Sequence, residues 1–204
     1  MIIFQESKLA HKYLDHLQGI EIGGSAHNPF NLPNCKNVDY SADDNTFFKK
    51  EEKRLCGKTL PVDIVAEGDN LPLENESVDY VISSHAIEHF FDPIKTLKEW
   101  YRVIRKGGYI FVICPHKDRV EGENRPITTL EELISRHEGK IKREEISWDG
   151  TIHSYKDKNI ERGHWTVWDT KLFLDLCKYL NFKVVEYLDK DDKVGNGFCV
   201  IIQK

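Results

Sequence analysis

The chain predicts an α/β fold, a mostly parallel sheet with helices packed on its faces. Its hydrophobic pattern switches repeatedly between short continuous apolar runs and segments with an apolar residue every three or four positions, the alternation that strand–helix–strand units produce. With 204 residues, 40% of them hydrophobic and 31% charged, there is enough chain for one well-packed core and too little for two. Residues 1–204 are therefore expected to form a single domain. No apolar run approaches the roughly 20 residues of a membrane span, and MIIFQESKLAHK lacks the basic start, long apolar core and cleavage site of a signal peptide. A soluble, cytoplasmic protein is expected.

Each element can be justified in turn. Phe4 to Leu17 carries Leu9, Tyr13, Leu14 and Leu17 near helical spacing, and Gly19 to Ile22 follows as a short buried strand. The next segment, GGSAHNPFNLPN, holds two prolines that forbid a regular crossover helix, so a loop is expected. Lys36 to Tyr40 reads as a second strand, Ser41 to Cys56 has helix potential, Pro61 to Ala66 reads as a third strand and Val78 to Ser83 as a fourth. From Asp92 to Ile104 the apolar positions Ile94, Leu97, Trp100, Tyr101 and Ile104 recur at three and four, with Lys95, Lys98, Glu99 and Arg102 opposite. Lys106-Gly107-Gly108 is expected to end that helix, and Tyr109 to Cys114 forms a fifth strand. Residues 116 to 163 are rich in His, Lys, Arg and Glu with little strand signal, and Thr128 or Thr129 is placed to cap a short helix through Arg136. A helix from Asp169 to Leu180 and two closing strands, Lys183 to Leu188 and Gly197 to Ile202, joined by a hairpin-type turn, complete the chain.

The 29 basic and 34 acidic residues give a formal net charge of -5, which advertises no general nucleic-acid affinity. Cys35, Cys56, Cys114, Cys177 and Cys199 are odd in number and scattered without a C-x-x-C pair, so free thiols in a reducing compartment are expected.

In an open α/β sheet, ligands sit beyond the carboxyl ends of the strands where the winding reverses. Glu21-Ile22-Gly23-Gly24 follows the first strand there, and its missing side chains let backbone amides approach a ligand. After the second strand stands Asp39, able to accept two hydrogen bonds from a ribose diol. Glu67, Gly68 and Asp69 follow the third, and Ser83, Ser84 and His85 the fourth. These positions are suited to line a nucleoside pocket.

The order EIGGS, NVDYS, AEGDNLPLENESVDYVISSHAIEH and LKEWYRVIRKGGYIFVICP resembles a class I S-adenosylmethionine-dependent methyltransferase. The resemblance implies a Rossmann-like three-layer sandwich with a mostly parallel seven-stranded sheet, its last strand antiparallel in a closing C-terminal hairpin. It implies S-adenosylmethionine as cofactor, with Glu21, Gly23, Gly24 and Ser25 toward the methionine part, Asp39 and Tyr40 at the ribose, Glu67, Gly68 and Asp69 at the adenine, and Ser84 at the wall. The first loop departs from the family's acid-x-G-x-G-x-G pattern, Ser25 and His27 standing where the second and third glycines belong. GGSAHNPFNLP, DPIKTLKEW, RPITTLEEL and HWTVW are similar to a subset associated with glycan biosynthesis. The expected reaction is methyl transfer to a small-molecule or glycan-linked acceptor, at oxygen, with residues 116–166 as an insertion covering the acceptor.

A hydroxyl acceptor has a pKa far above neutral, so a base beside it helps. Four histidines compete, His85, His89, His116 and His164; His85 and His116 are taken as the catalytic pair. His85, Glu88 and His89 have i, i+3, i+4 spacing and would share one helical face able to grip a divalent ion. Some quinone-type O-methyltransferases carry E-x-x-E-H here, the first position being His85 in this chain, and no metal ligand is assigned. Two other functions compete. A dinucleotide-dependent oxidoreductase expects G-x-G-x-x-G opening a helix, which Pro29 and Pro33 oppose. A methyltransferase fold that only binds is favoured by the altered glycine loop. Base methylation is disfavoured, because S-S-H-A stands where an N-P-P-Y-type tetrad would.

Overall fold

A computed structural model describes residues 1–146, 155–157 and 160–204. The chain runs through helix α1 (Lys8–Leu14), strands β1 (Gly19–Ile22) and β2 (Cys35–Asp39), helix α2 (Phe47–Cys56), and strands β3 (Ile64–Val65) and β4 (Val78–Ser84). Helix α3 (Pro93–Val103), strand β5 (Ile104–Pro115), helix α4 (Leu130–His137) and a two-stranded ribbon of β6 (Tyr155–Asp157) and β7 (Ile160–Arg162) follow. Helix α5 (Thr170–Tyr179) and strands β8 (Lys183–Leu188) and β9 (Gly197–Gln203) complete it. Seven strands form one sheet in the order β3-β2-β1-β4-β5-β9-β8. All neighbours through β5 are parallel, whereas β9 is antiparallel to both β5 and β8. This is the predicted Rossmann-like architecture, and its winding reverses between β1 and β4.

Alternation along the central strands makes the two buried faces. Val81, Ile110, Val112, Val200 and Ile202 point into one cluster with Ile94, Leu97, Trp100 and Val103 of α3 and Leu172, Phe173 and Leu176 of α5. Tyr80, Ile82, Phe111, Ile113 and Ile201 face the other way, against Leu9, Ala10 and Leu14 of α1 together with Phe30 and Leu32. The loop between β1 and β2 thus replaces the crossover helix as cover. Pro29 and Pro33 prevent a helix, yet Phe30 inserts against Phe111 with ring centroids 6.1 Å apart.

Side-chain caps set the helix boundaries. Ser7, Thr46, Asp92, Thr129 and Asp169 accept from backbone amides at the starts of α1, α2, α3, α4 and α5, satisfying donors that lack intrahelical partners. Several boundaries correct the sequence reading. The first helix begins at Lys8, not Phe4, because Ser7 caps it. The third strand shrinks to Ile64–Val65, since Pro61 has no amide to give a ladder. Gly107 and Gly108 do not end α3. That helix stops at Val103 and β5 begins at once; Gly107 has φ +83° within the strand, and a Cβ on Gly108 would lie 2.3 Å from the Asp79 carbonyl. These glycines serve an irregular register between β4 and β5. The polar insertion also contains the β6–β7 ribbon, which its composition did not announce. Its residues 147–154 and 158–159 lie outside the described residues.

The turn between β8 and β9 is built on one carboxylate. Asp191 Oδ1 accepts from the amides of Lys193 (3.0 Å), Val194 (2.6 Å) and Gly195 (3.0 Å), and Oδ2 from Gly195 (2.9 Å) and Gly197 (2.9 Å). Neighbouring Asp192 holds the start of the chain, accepting from Ser7 Oγ at 2.6 Å and the Leu9 amide at 2.9 Å, while Lys193 Nζ donates to the Gln5 and Pro29 carbonyls. Burial works to raise the Asp191 pKa, but the amides outweigh it and hold the carboxyl below its ordinary value. A depressed carboxyl contributes stability that is present above the unfolded value near 4 and is lost as pH falls through the folded one. Asp191→Asn is therefore expected to cost about 2–4 kcal/mol at pH 7, and the deficit to shrink as pH falls below the unfolded value near 4. Thermal melts of both proteins from pH 7 to 2 check this, a constant gap across the range being the contrary result.

Candidate active site

A cavity of about 790 Å³ opens where β1 and β4 diverge, within the roughly 300–1,000 Å³ of small-molecule sites. Glu21, Gly23, Gly24, Ser25, Asp39, Tyr40, Glu67, Gly68, Asp69, Ser84 and His85 all line it. Eleven of the twelve residues singled out from the sequence meet around one space. The twelfth, His116, does not. It is nearly buried at the end of β5, its Nδ1 accepts from the Asp118 amide at 3.2 Å, and its ring packs on Phe198. His116 stands outside the residues that line this cavity and caps a turn.

Local forces explain how the wall is made. Gly23, at φ +72°, donates its amide to the Val38 carbonyl at 2.9 Å. The Gly24 amide donates to Asn37 Oδ1 at 3.0 Å, and a Cβ there would approach that oxygen to 2.7 Å. Next, Glu52 Oε1 accepts from the Ala26 amide at 2.5 Å and the Leu60 amide at 2.6 Å, and Glu52 Oε2 pairs with Lys49 Nζ at 3.1 Å. Both members of this pair are buried. A polar helix, α2, therefore splints the glycine loop through its buried Lys49–Glu52 pair. Neither residue stood out in the sequence, because an i, i+3 charge pair is ordinarily solvated.

On the opposite side, Trp100 Nε1 of α3 donates to the Gly68 carbonyl at 2.8 Å. A Cβ on Gly68 would come within 2.7 Å of Phe90 Cζ and 2.8 Å of Ile22 Cγ2, so the turn lies flat against the end of β1. Lys95 Nζ holds Asp69 at 2.9 Å. Asp39 closes β2 with Oδ1 accepting from the Ser41 amide at 3.4 Å, and the Tyr40 ring packs edge-on against Phe48. From beyond β5, Arg143, Trp165, Val194 and Asn196 reach the cavity, the Arg143 guanidinium 4.7 Å from the Trp165 indole centroid.

Three ionisable groups are strongly displaced. Burial pushes Glu21 up to about 8, with Lys193 pulling the other way. Burial pushes Glu88 up to about 8 as well. His85 moves down to about 4, again through burial, with Asp191 opposing, so it is neutral at pH 7. Its backbone has φ +54°, its amide donates to the Ile113 carbonyl at 2.9 Å, and its Nε2 is buried without a hydrogen-bond partner. His85 thus brings a left-handed backbone and an unpartnered ring nitrogen to the cavity wall.

The donor chemistry fits an adenosyl sulfonium compound: a carboxylate at the end of β2, close-packed glycines at two turns, and apolar Ile22, Val38 and Phe90 between them. Comparison with known proteins agrees. Residues 23–112 match the family described as a methyltransferase domain. A malonyl-[acyl-carrier protein] O-methyltransferase of Marinomonas sp. is 45% identical over 47 residues, 23% of this chain and 17% of that protein. An uncharacterized protein of Methanocaldococcus jannaschii is 27% identical over 126 residues, 60% of this chain and 57% of its own. The chain thus spans less than two thirds of the length of these curated relatives. A crystal structure of a SAM-dependent methyltransferase from Methanosarcina mazei shares the fold, with a TM-score of 0.55 at 17% identity over 97% of each chain. The seven-stranded sheet is thus the fold of that structure, and residues 23–112 carry the similarity to a methyltransferase domain.

Proposed function

We propose that this chain transfers a methyl group from S-adenosylmethionine to an oxygen of a small-molecule or glycan-linked acceptor, residues 1–204 acting as one domain with 116–166 laid over the acceptor. The observation that carries the reading is the meeting of Asp39, the two glycine turns and His85 around one cavity at the reversal of the sheet. Asp39 accepts the ribose hydroxyls, the Glu67–Asp69 turn with Ile22 and Phe90 receives the adenine, and Glu21 with Gly23, Gly24 and Ser25 faces the methionine part. When bound, the cofactor supplies a sulfonium methyl whose departure leaves a neutral thioether, so positioning dominates over bond chemistry. His85, held neutral by burial, takes the proton from the acceptor hydroxyl as its oxygen attacks. Arg143 and Trp165 supply a cation and an aromatic face on the acceptor side. The glycan preference rests on sequence resemblance and is an associational argument.

Titration calorimetry tests the cofactor part: S-adenosylhomocysteine is expected to bind one-to-one at micromolar strength or better, and NADH not at all. Absence of both heat and a thermal shift with the adenosyl compound overturns the reading. Isotope-labelled S-adenosylmethionine offered with nucleotide sugars and lipid-linked glycans tests the acceptor; tight cofactor binding without transfer to any hydroxyl compound would favour a fold that only binds.

A further inference from the structure

We propose that Glu88, His89 and His164 hold a divalent transition-metal ion, such as Zn2+, at the acceptor end of the cavity. Glu88 belongs to a 3-10 turn, Ile87–His89, between β4 and α3. Its side chain is 1% exposed and neither carboxylate oxygen has a hydrogen-bond partner. Three imidazole nitrogens surround one of those oxygens: His164 Nε2 at 3.8 Å, His89 Nε2 at 3.9 Å and His85 Nδ1 at 3.9 Å. Every distance exceeds the roughly 2.7–3.2 Å of a hydrogen bond. A buried carboxyl with no hydrogen bond, ringed by three imidazole nitrogens beyond bonding distance, leaves room for a cation that all of them could bind.

The donor atoms of Glu88, His89 and His164 lie within 4.8 Å of one another. A tetrahedral ion with bonds of 2.0–2.1 Å separates its ligands by about 3.4 Å, so the Glu88–histidine spacings need to contract by only about half an ångström. Tautomers point the same way. His89 Nδ1 lies 3.1 Å from the Gly163 carbonyl, which can only accept, so Nδ1 carries the proton and Nε2 turns its lone pair toward Glu88. That second bond to a carbonyl is the usual orienting contact of a metal-bound histidine. The cluster is assembled by main chain and not by chance side-chain proximity. The Trp165 amide donates to the Glu88 carbonyl at 2.8 Å, the Arg125 guanidinium holds the His164 carbonyl at 2.6 Å, and the His89 and His164 rings pack edge-on at 4.8 Å. Two imidazoles and a carboxylate suit Zn2+, Fe2+, Co2+ or Mn2+ rather than Mg2+ or Ca2+. His89 also lines the cavity, as does His85, so the cluster borders the cavity through His89. The helical face of His85, Glu88 and His89 expected from spacing does not form: φ +54° at His85 breaks it, and His164 from a distant segment supplies the third ligand.

Metal binding itself stands apart from the methyltransferase reading; the ion's use, lowering the pKa of the acceptor hydroxyl, rests on it. The full chain, stripped with chelator, is titrated with Co2+ while its ligand-field absorption is followed, and with Zn2+ by calorimetry. One equivalent is expected to bind, with the intense visible bands of a four- or five-coordinate site. Glu88→Gln and His164→Ala are each expected to weaken binding by about 100-fold or more, while both still bind S-adenosylhomocysteine as a check on folding. Should Glu88→Gln fail to fold, His164→Ala decides alone. Cobalt that stays octahedral and pale, or that binds both variants as tightly as the parent, overturns the proposal. Stoichiometric metal binding in a chain that ignores S-adenosylhomocysteine upholds the metal site and overturns the function proposed above.

Discussion

Asp39→Ala lowers the affinity for S-adenosylhomocysteine by about 100-fold or more and leaves the melting temperature within about 2 °C of the parent. A carboxylate that accepts two hydroxyl hydrogen bonds contributes about 1.5–3 kcal/mol through each, and 1.4 kcal/mol is a factor of ten. Folding loses little, because Asp39 is half-buried at the end of β2 and its bond to the Ser41 amide is long, 3.4 Å. Calorimetry with the nucleoside product, set beside thermal melts, separates the two quantities. Equal affinity in parent and variant would remove Asp39 from the ribose site and with it the orientation assigned to the whole cavity.

Trp100→Ala has the opposite profile, a large loss of stability from a residue that touches no ligand. The indole is fully buried, packs edge-on against Phe90 with centroids 6.3 Å apart, and holds the Gly68 carbonyl. Removing it costs about 3–5 kcal/mol, a large part of the 5–15 kcal/mol that domains possess, and lowers Tm by about 10 °C or more. Trp100→Phe keeps most of the apolar contact and loses only the hydrogen bond, leaving a buried carbonyl unpaired at a cost of about 1–3 kcal/mol. The conservative variant is expected to weaken S-adenosylhomocysteine as well, since the Gly68 turn is no longer drawn against Ile22. Denaturant unfolding combined with ligand titration checks both, and an undiminished affinity in Trp100→Phe would place the turn's support elsewhere.

The sheet was legible because each strand is a compact apolar run and each helix has a clear stripe; α3, with Ile94, Leu97 and Trp100 on one face, is the plainest case. The cavity-lining residues were legible for a topological reason, since they follow the ends of successive strands. What escaped the sequence depends on contacts between distant segments. Nothing in a run of lysines and glutamates says that Lys49 and Glu52 are buried and splint the loop on the far side of β2. Spacing put Glu88 and His89 together, but left His164, 75 positions on, as one histidine among several. His116, after β5, falls at the same edge of the sheet, whereas its capping bond to the Asp118 amide and its place outside the cavity lining are not legible in the sequence. Gly107 and Gly108 had the composition of a helix stop, and only the close approach to Asp79 shows their use in a strand.

The bonds from Ser7, Leu9 and Gln5 to the turn at Asp192 and Lys193 span some 185 positions, and they bear on how the molecule is assembled. Lys193 also grips the Pro29 carbonyl in the loop that follows Gly23, so the glycine-loop wall of the cavity is braced from the turn between β8 and β9. Loop closure over such a separation is entropically slow, and ligand capture during refolding should lag behind the appearance of secondary structure. Removing residues 1–6 would take away only the Gln5 bonds of this brace, while Ser7, Leu9 and Pro29 would keep their holds on Asp192 and Lys193.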